Sequence, residues 1–227
     1  MVFGEIIEPS SRALWEDDFV DYLEDDEQQL QISGNFEVPD KIDKFFIGET
    51  GNIISILQKC VLQNTAPICN MVGSGATLYK INHTSYALVY KPQTNVAVGK
   101  ITEELIPWLN AASNIYVLTS STLTSLQNSN LNETSPCIIK FLSSKKEKSE
   151  LYSRLEVPNL VTNLSASILS YSIHKGLTCS LYVGFLEDAP LDSLNTRPLL
   201  DLLCNLGINS IKGYVLEDKL PLNNLYM

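Results

Sequence analysis

The stretch Leu177-Thr178-Cys179-Ser180-Leu181-Tyr182-Val183-Gly184-Phe185-Leu186 constrains the fold more than any other part of the chain. It is almost continuously apolar, and the glycine at 176 marks its start. It is too short for the ~18 residues a membrane-spanning helix needs, and no other apolar run reaches that length. Read as a strand, it has no polar face to turn toward water, so it must be covered on both sides. Asn114-Ile115-Tyr116-Val117-Leu118-Thr119 and the shorter Lys44-Phe45-Phe46-Ile47-Gly48 have the same character. A sheet with several such strands needs a helical layer on each face. The expected fold is therefore α/β, a three-layer sandwich with a largely parallel or mixed central sheet flanked by helices.

The segments between these strands supply the helices. Residues 52–63 place Ile53, Ile54, Ile56, Leu57, Cys60 and Val61 on one helical face, with Thr50 available as N-cap. Residues 66–73, 76–81, 85–91 and 94–98 read as strands, divided by Gly73-Ser74-Gly75, Asn82-His83-Thr84 and Pro92-Gln93. A helix is expected at about 102–112 despite Pro107. Residues 119–135, rich in Ser, Thr and Asn, read as a long loop. Cys137 to Leu142 is a further strand. The best helix runs from Leu160 to Lys175, with Asn159 as cap, Pro158 before it and Gly176 as its stop. A last helix is expected from Pro198 to Leu206, ending at Gly207. No internal repeat is present.

Charge divides the chain unevenly. Of 227 residues, the first 40 hold 12 acids and one base, whereas residues 41–227 hold 14 acids and 15 bases. Residues 1–40 are thus an acidic arm, 41–216 a nearly neutral α/β domain, and 217–227 a tail. Within the arm, Leu14, Trp15, Phe19, Tyr22 and Leu23 are spaced at three to four residues among eight acids. Like charges at i,i+4 oppose an isolated helix there, so a disordered arm and an arm that docks its aromatics on a partner both stay open. The neutral body offers no basic excess for phosphates, which argues against nucleic acid as the main partner. Lys145, Lys146 and Lys148 are diluted by Glu147 and Glu150 and read as a solvated loop. The N-terminus lacks the basic region and apolar core of a secretory signal. Cysteines 60, 69, 137, 179 and 204 form no CxxC pair and read as small buried residues in a reduced compartment. Cytoplasmic localisation is expected, with the nucleus as a second compartment.

Little in the sequence speaks for catalysis. His83 falls in a turn and His174 at a helix end, neither with a second ligand at zinc spacing. There is no Gly-x-Ser-x-Gly elbow. Gly73-Ser74-Gly75 lacks a third glycine and leads into a strand, so a tight hairpin explains it. Gly48-Glu49-Thr50-Gly51 is better placed to cradle an anion, but it has no lysine and ordinary turn chemistry accounts for it. The Asn-x-Ser/Thr sequons at Asn82, Asn132 and Asn163 carry no weight without secretion. The expectation is no enzyme, no cofactor and no metal.

The chain closes with Leu225-Tyr226-Met227. An aliphatic residue, a tyrosine and any residue at a carboxy terminus is the docking pattern of factors that enter pockets between proteasome α-subunits. The aliphatic side chain fills the pocket, the Tyr hydroxyl finds a polar partner and the carboxylate meets a lysine. Composition alone also yields such endings. Two further stretches agree with it: Phe3-Gly4-Glu5 with Pro9 and Ser11-Arg12-Ala13 before an acidic run, and Leu155-Glu156-Val157-Pro158-Asn159-Leu160-Val161 continuing through Ala166 to Tyr171. Together with the ending they cover about a third of the chain, and in order and spacing they resemble the proteasome assembly chaperone family. That resemblance implies a non-enzymatic chaperone. It implies a heterodimer with a related α/β subunit, proteasome assembly chaperone 2, that binds proteasome 20S α-subunits and promotes α-ring assembly. On it, Leu225, Tyr226 and Met227 would be the protein-binding residues. The alternative is an adaptor that binds through its acidic arm and has no proteasome role.

Overall fold

The computed structural model describes residues 30–34, 37–92, 97–127, 135–145, 151–187 and 193–208. Among these, nine strands form one sheet: β1 (Gln31–Gly34), β2 (Ile42–Glu49), β3 (Pro67–Val72), β4 (Ala76–Lys80), β5 (Ser85–Tyr90), β6 (Ala112–Thr122), β7 (Cys137–Ser143), β8 (Ser153–Arg154) and β9 (Cys179–Leu186). Their order is β1-β3-β4-β5-β2-β6-β9-β7-β8. The centre is parallel: β5 pairs with β2, β2 with β6, and β6 with β9. Antiparallel strands extend it, with β4, β3 and β1 beyond β5, and β7 beyond β9. The sheet is therefore mixed, and its parallel centre is built from the apolar runs that lack a polar face.

Among the described residues four α-helices cover that centre: α1 (Gly51–Ile56), α2 (Val98–Ala111), α3 (Asn163–Lys175) and α4 (Ser193–Asn205). Alternation along the strands sorts the core into two layers. Phe45, Ile47, Ile115, Val117, Leu181 and Val183 pack with Ile101, Leu105 and Trp108 of α2 and Leu164 and Ile168 of α3. Phe46, Leu118, Tyr182 and Leu186 pack with Ile53 and Ile56 of α1 and with Leu199, Leu202 and Leu203 of α4. Trp108 anchors the first layer, its ring 5.3 Å edge-on from Tyr86 and 6.0 Å from Phe45. Each fully buried side chain of this size contributes about 1.5–3 kcal/mol.

Two strand glycines let the second helical layer sit close. A Cβ on Gly48 would lie 2.2 Å from Leu57 Cδ1, and one on Gly184 would lie 3.0 Å from Leu199 Cδ2. Leu57 opens a π turn (Leu57–Val61) that widens the end of α1. The predicted helix at 52–63 is thus real but ends as a π turn.

Several local readings need correcting. Thr50 does stand at the N-cap of α1, its carbonyl accepting from the Ile54 N–H at 2.9 Å, but its side chain makes no cap bond. The residue sits at φ 78°, with its hydroxyl 2.7 Å from Ser120 Oγ and accepting from the Ser120 N–H at 3.1 Å. Asn159 does not start a helix either: α3 begins at Asn163, four residues later. The end of the predicted 94–98 strand is the start of α2, since Val98 is its first helical residue, and residues 93–96 lie outside the described residues. The predicted loop at 119–135 begins as strand, because β6 runs on to Thr122 to pair with β9. α4 starts before Pro198, at Ser193, so the proline lies inside the helix. Pro107 lies inside α2, as expected, on its exposed side. Gln31–Gly34, ahead of the expected start of the body, joins the sheet by pairing with β3.

The Gly73-Ser74-Gly75 hairpin is as expected. Gly73 and Gly75 take φ of 83° and 75°, which suit glycine. The Ser74 hydroxyl donates to Met71 O at 2.8 Å and accepts from Ala76 N–H at 3.1 Å.

Candidate functional site

In an open α/β sheet, ligands favour the crevice at the carboxyl ends of the parallel strands, where the chain switches direction. Here that place is the end of β2, between β5 and β6. Glu49, the last residue of β2, is 2% exposed and faces the α2–α3 layer. Its Oε1 accepts from the Leu164 N–H at 3.3 Å and its Oε2 from the Ser165 N–H at 3.0 Å. The Ser165 hydroxyl donates to the same Oε2. Glu49 therefore caps the amino end of α3, where a negative charge meets unpaired N–H groups and the helix dipole. Tyr90, at the end of β5, feels it: burial, and then the Glu49 charge, hold its hydroxyl above its ordinary pKa.

The anion position in front of α3 is thus filled by the protein's own carboxylate. Beside it, Thr50 and Ser120 satisfy each other. Thr50 is a β-branched residue at positive φ, a conformation that costs about 1–3 kcal/mol and is held only by firm surroundings. Asn163, at φ 59°, also takes a left-handed conformation at this end of the sheet, one that asparagine tolerates better than a β-branched residue. The Gly48–Gly51 turn has the position expected of an anion cradle, but its acidic residue turns inward to serve α3.

His83 is exposed in the turn between β4 and β5, and His174 is exposed in the last turn of α3. Among the described residues no three His, Cys, Asp or Glu side chains cluster as a metal site. An apolar cavity of about 10 Å³ lies between α1, β6 and α4, lined by Ile53, Ile56, Leu57, Leu118, Leu199, Leu202 and Leu203. It has the volume of roughly one water, far below a cofactor pocket. Cys60, Cys69, Cys137 and Cys179 are buried free thiols and Cys204 is half-buried. Among the described residues no helix is long and apolar enough to cross a membrane.

The informative surface is the lead-in to α3. Leu155 is buried, and its N–H donates to Phe141 O at 2.9 Å. After the cis Val157–Pro158 bond, Asn159 makes a two-pronged clamp on Gln127. Its Oδ1 accepts from the Gln127 N–H at 2.9 Å, and its Nδ2 donates to Gln127 O at 2.8 Å and to Glu156 O at 2.7 Å. The loop so fixed holds Val157 at 85% and Leu160 at 88% exposure. Fixed backbone and exposed apolar side chains are what a protein-docking element requires.

Leu225, Tyr226 and Met227, the predicted protein-binding residues, lie outside the described residues, as does the acidic segment 14–29. The structure brings together Glu49, Thr50, Ser120 and Ser165, which sequence reasoning did not join. The only local signal was an acid closing a strongly apolar strand.

No known protein family and no curated protein matches the chain by sequence. By structure it is similar to Pyrococcus furiosus PbaA, an archaeal homologue of proteasome-assembly chaperone, with a TM-score of 0.58 at 15% identity over 79% of this chain and 87% of that one. It is also similar to a Mycobacterium tuberculosis protein of unknown function, with a TM-score of 0.61 at 8% identity over 79% of this chain and 75% of that one. A third likeness is to P. furiosus PbaB, an archaeal proteasome activator, with a TM-score of 0.53 at 10% identity over 78% of this chain and 89% of that one. At such identities these are likenesses of fold.

Proposed function

We propose that this chain is a proteasome assembly chaperone resembling proteasome assembly chaperone 1. It pairs with proteasome assembly chaperone 2, binds 20S α-subunits in the cytoplasm and nucleus, and promotes formation of the α-ring without catalysing a reaction. The observation that carries this reading is an agreement between independent signals. The fold is shared with an archaeal proteasome-assembly chaperone homologue. The segment that resembles the family in sequence, 155–171, is also the one that displays exposed Val157 and Leu160 on a clamped loop.

Leu225, Tyr226 and Met227 then form the docking tail. Burying one leucine contributes ~1.5–3 kcal/mol, too little for a stable complex, so the body or a second tail must supply the rest through effective concentration. From Glu217 the tail spans at most ~36 Å when extended, enough to enter a pocket from a docked body.

The test is an affinity pull-down from cells with the full chain and with a chain lacking residues 225–227, read by mass spectrometry. Recovery of α-subunits and a second chaperone subunit, with α-subunits reduced by the truncation, is the expected result. Recovery of neither by the full chain would overturn the reading. Binding that maps to residues 14–30 and ignores the truncation would favour the acidic-arm adaptor.

A further inference from the structure

We infer that the outward face of α3, together with the clamped loop before it, is the surface on which this chain pairs with a second α/β chain through an equally uncharged helical face. The inference takes its partner from the chaperone reading above and adds the surface.

Charge distinguishes this face. From Val157 to Ile173 there are 17 residues without an Asp, Glu, Lys, Arg or His, in a chain that is 19% charged. Glu103 and Glu104 on α2, Arg197 and Asp201 on α4, and Lys59 on the turn after α1 are all exposed, whereas the exposed charges of α3, His174 and Lys175, lie only in its last turn. Depletion of charge, with exposed aliphatic side chains, marks the core of a protein interface and not a solvated face. The aliphatic side chains are present, since Val157, Leu160 and Ile173 are 85%, 88% and 56% exposed.

The rest of α3 is committed elsewhere. Leu164, Ile168 and Leu169 are buried against the sheet. Ser167 and Tyr171 turn toward α2, with Ser167 Oγ 2.8 Å from Thr102 Oγ1 and the Tyr171 hydroxyl 3.3 Å from Asn110 Oδ1. This leaves exposed Ser170 and Ile173 with half-buried Ala166 on one face at helical spacing, bordered by His174 and Lys175 at the carboxyl end of the helix. Short side chains in the middle of that face admit a second helix at the usual 8–10 Å separation. The Glu49 cap fixes one end of α3 and the Asn159 clamp fixes the loop, so pairing orders little that is not already ordered.

The choice between a different chain and a second copy also rests on charge. Each copy carries a net charge of −10, concentrated in its first 40 residues, so self-pairing brings two acidic arms into one particle. A partner chain without that arm avoids the repulsion.

The experiment uses the full chain co-expressed with the second chaperone subunit, with affinity measured on the purified proteins. Leu160→Asp and Ser170→Glu are expected to weaken pairing at least about tenfold each while melting as the unaltered chain does, and Glu104→Ser, on the exposed face of α2, is expected to change nothing. Unchanged pairing in both folded variants overturns the inference. So does a self-dimer of the unaltered chain that Ser170→Glu abolishes, which makes the occupant a second copy. Loss of α-subunits with pairing intact also overturns it, because the face then meets the ring. Should a variant fail to fold, covalent footprinting of the unaltered pair decides: protection of Leu160 and Ile173 supports the inference, and undiminished labelling overturns it. If the unaltered chains do not pair at all yet α-subunits are recovered, only the pairing surface falls. If neither is recovered, the chaperone reading falls with it.

Discussion

The carboxylate of Glu49, at the end of the central strand, accepts from both the backbone N–H and the hydroxyl of Ser165, 116 residues further along the chain. One buried acid thereby fastens α3 to the middle of the sheet. Truncation to alanine leaves the buried Leu164 and Ser165 donors without an acceptor, at about 1–3 kcal/mol for such a group. Glu49→Ala is therefore expected to lower the denaturation midpoint clearly. Glu49→Gln, which keeps an acceptor and loses the charge, should fall between the two. Equal stability of all three proteins in urea would show that the cap contributes nothing.

The opposite end of the same strand carries the complementary charge. Lys44 donates to Leu206 O at 2.7 Å, at the carboxyl end of α4, where unpaired carbonyls and the helix dipole favour a cation. Lys44→Met keeps most of the apolar stem and removes the donor. The expected loss is about 0.5–1.5 kcal/mol, smaller than for Glu49→Ala because Lys44 is only half-buried. Hydrogen exchange should speed up at residues 202–206 and stay unchanged in α3.

Gly48 leaves no room for a methyl group beside Leu57. Overpacking of this kind costs typically about 1–3 kcal/mol, so Gly48→Ala should destabilise although alanine is the smallest possible addition. Leu57→Ala alone opens a cavity and should cost about 2–5 kcal/mol. In the double variant the methyl group occupies part of the vacated space. Its loss should therefore be smaller than the two single losses together, and strict additivity in a double-mutant cycle would show that the two sites do not touch.

Burial pushes the Cys137 and Cys179 thiols from 9.0 up to about 11. For Cys179 a smaller opposing effect comes from the Ser172 hydroxyl beside it. The folded state holds these protons where the unfolded state releases them. The associated stability is thus complete below about pH 9 and is lost as pH rises toward about 11. Melting temperatures should fall across that window, and a Cys137→Ala/Cys179→Ala chain should show a shallower fall. Under native conditions at pH 8, half-buried Cys204 should react with a thiol reagent before either of them.

The parts of the fold written in local pattern were legible in the sequence. Leu177–Leu186 and Asn114–Thr119 announced β9 and β6 because a strand buried on both faces leaves no polar alternation. Gly176 announced the end of α3 because its left-handed conformation, φ 70°, suits glycine. What escaped were contacts between residues far apart in sequence. Thr50 and Asn159 are good N-cap residues by type, but each spends its side-chain polar atoms on another segment, Ser120 and Gln127 respectively. The true cap of α3 is a glutamate on a different element, which no window around residue 163 contains. β1 and β8, of four and two residues, are too short for any periodicity and exist because β3 and β7 offer them an edge. Within the candidate interaction surface the exposed Val157 and Leu160 were visible as residues, yet their display depends on a clamp from Asn159 to Gln127.

The reach of Glu49 across the chain bears on how the protein is made. A ribosome that has released the first 122 residues has delivered β2 and β6, which pair in the finished fold. It has not yet delivered Leu164 and Ser165, so the carboxylate at the heart of the nascent sheet has no helix to receive it. Closing that end of the core costs a buried charge until more than 40 further residues emerge. A chain interrupted before α3 lacks both backbone donors, so the hydrogen bonds that hold this end of the finished molecule together form only once α3 has been made.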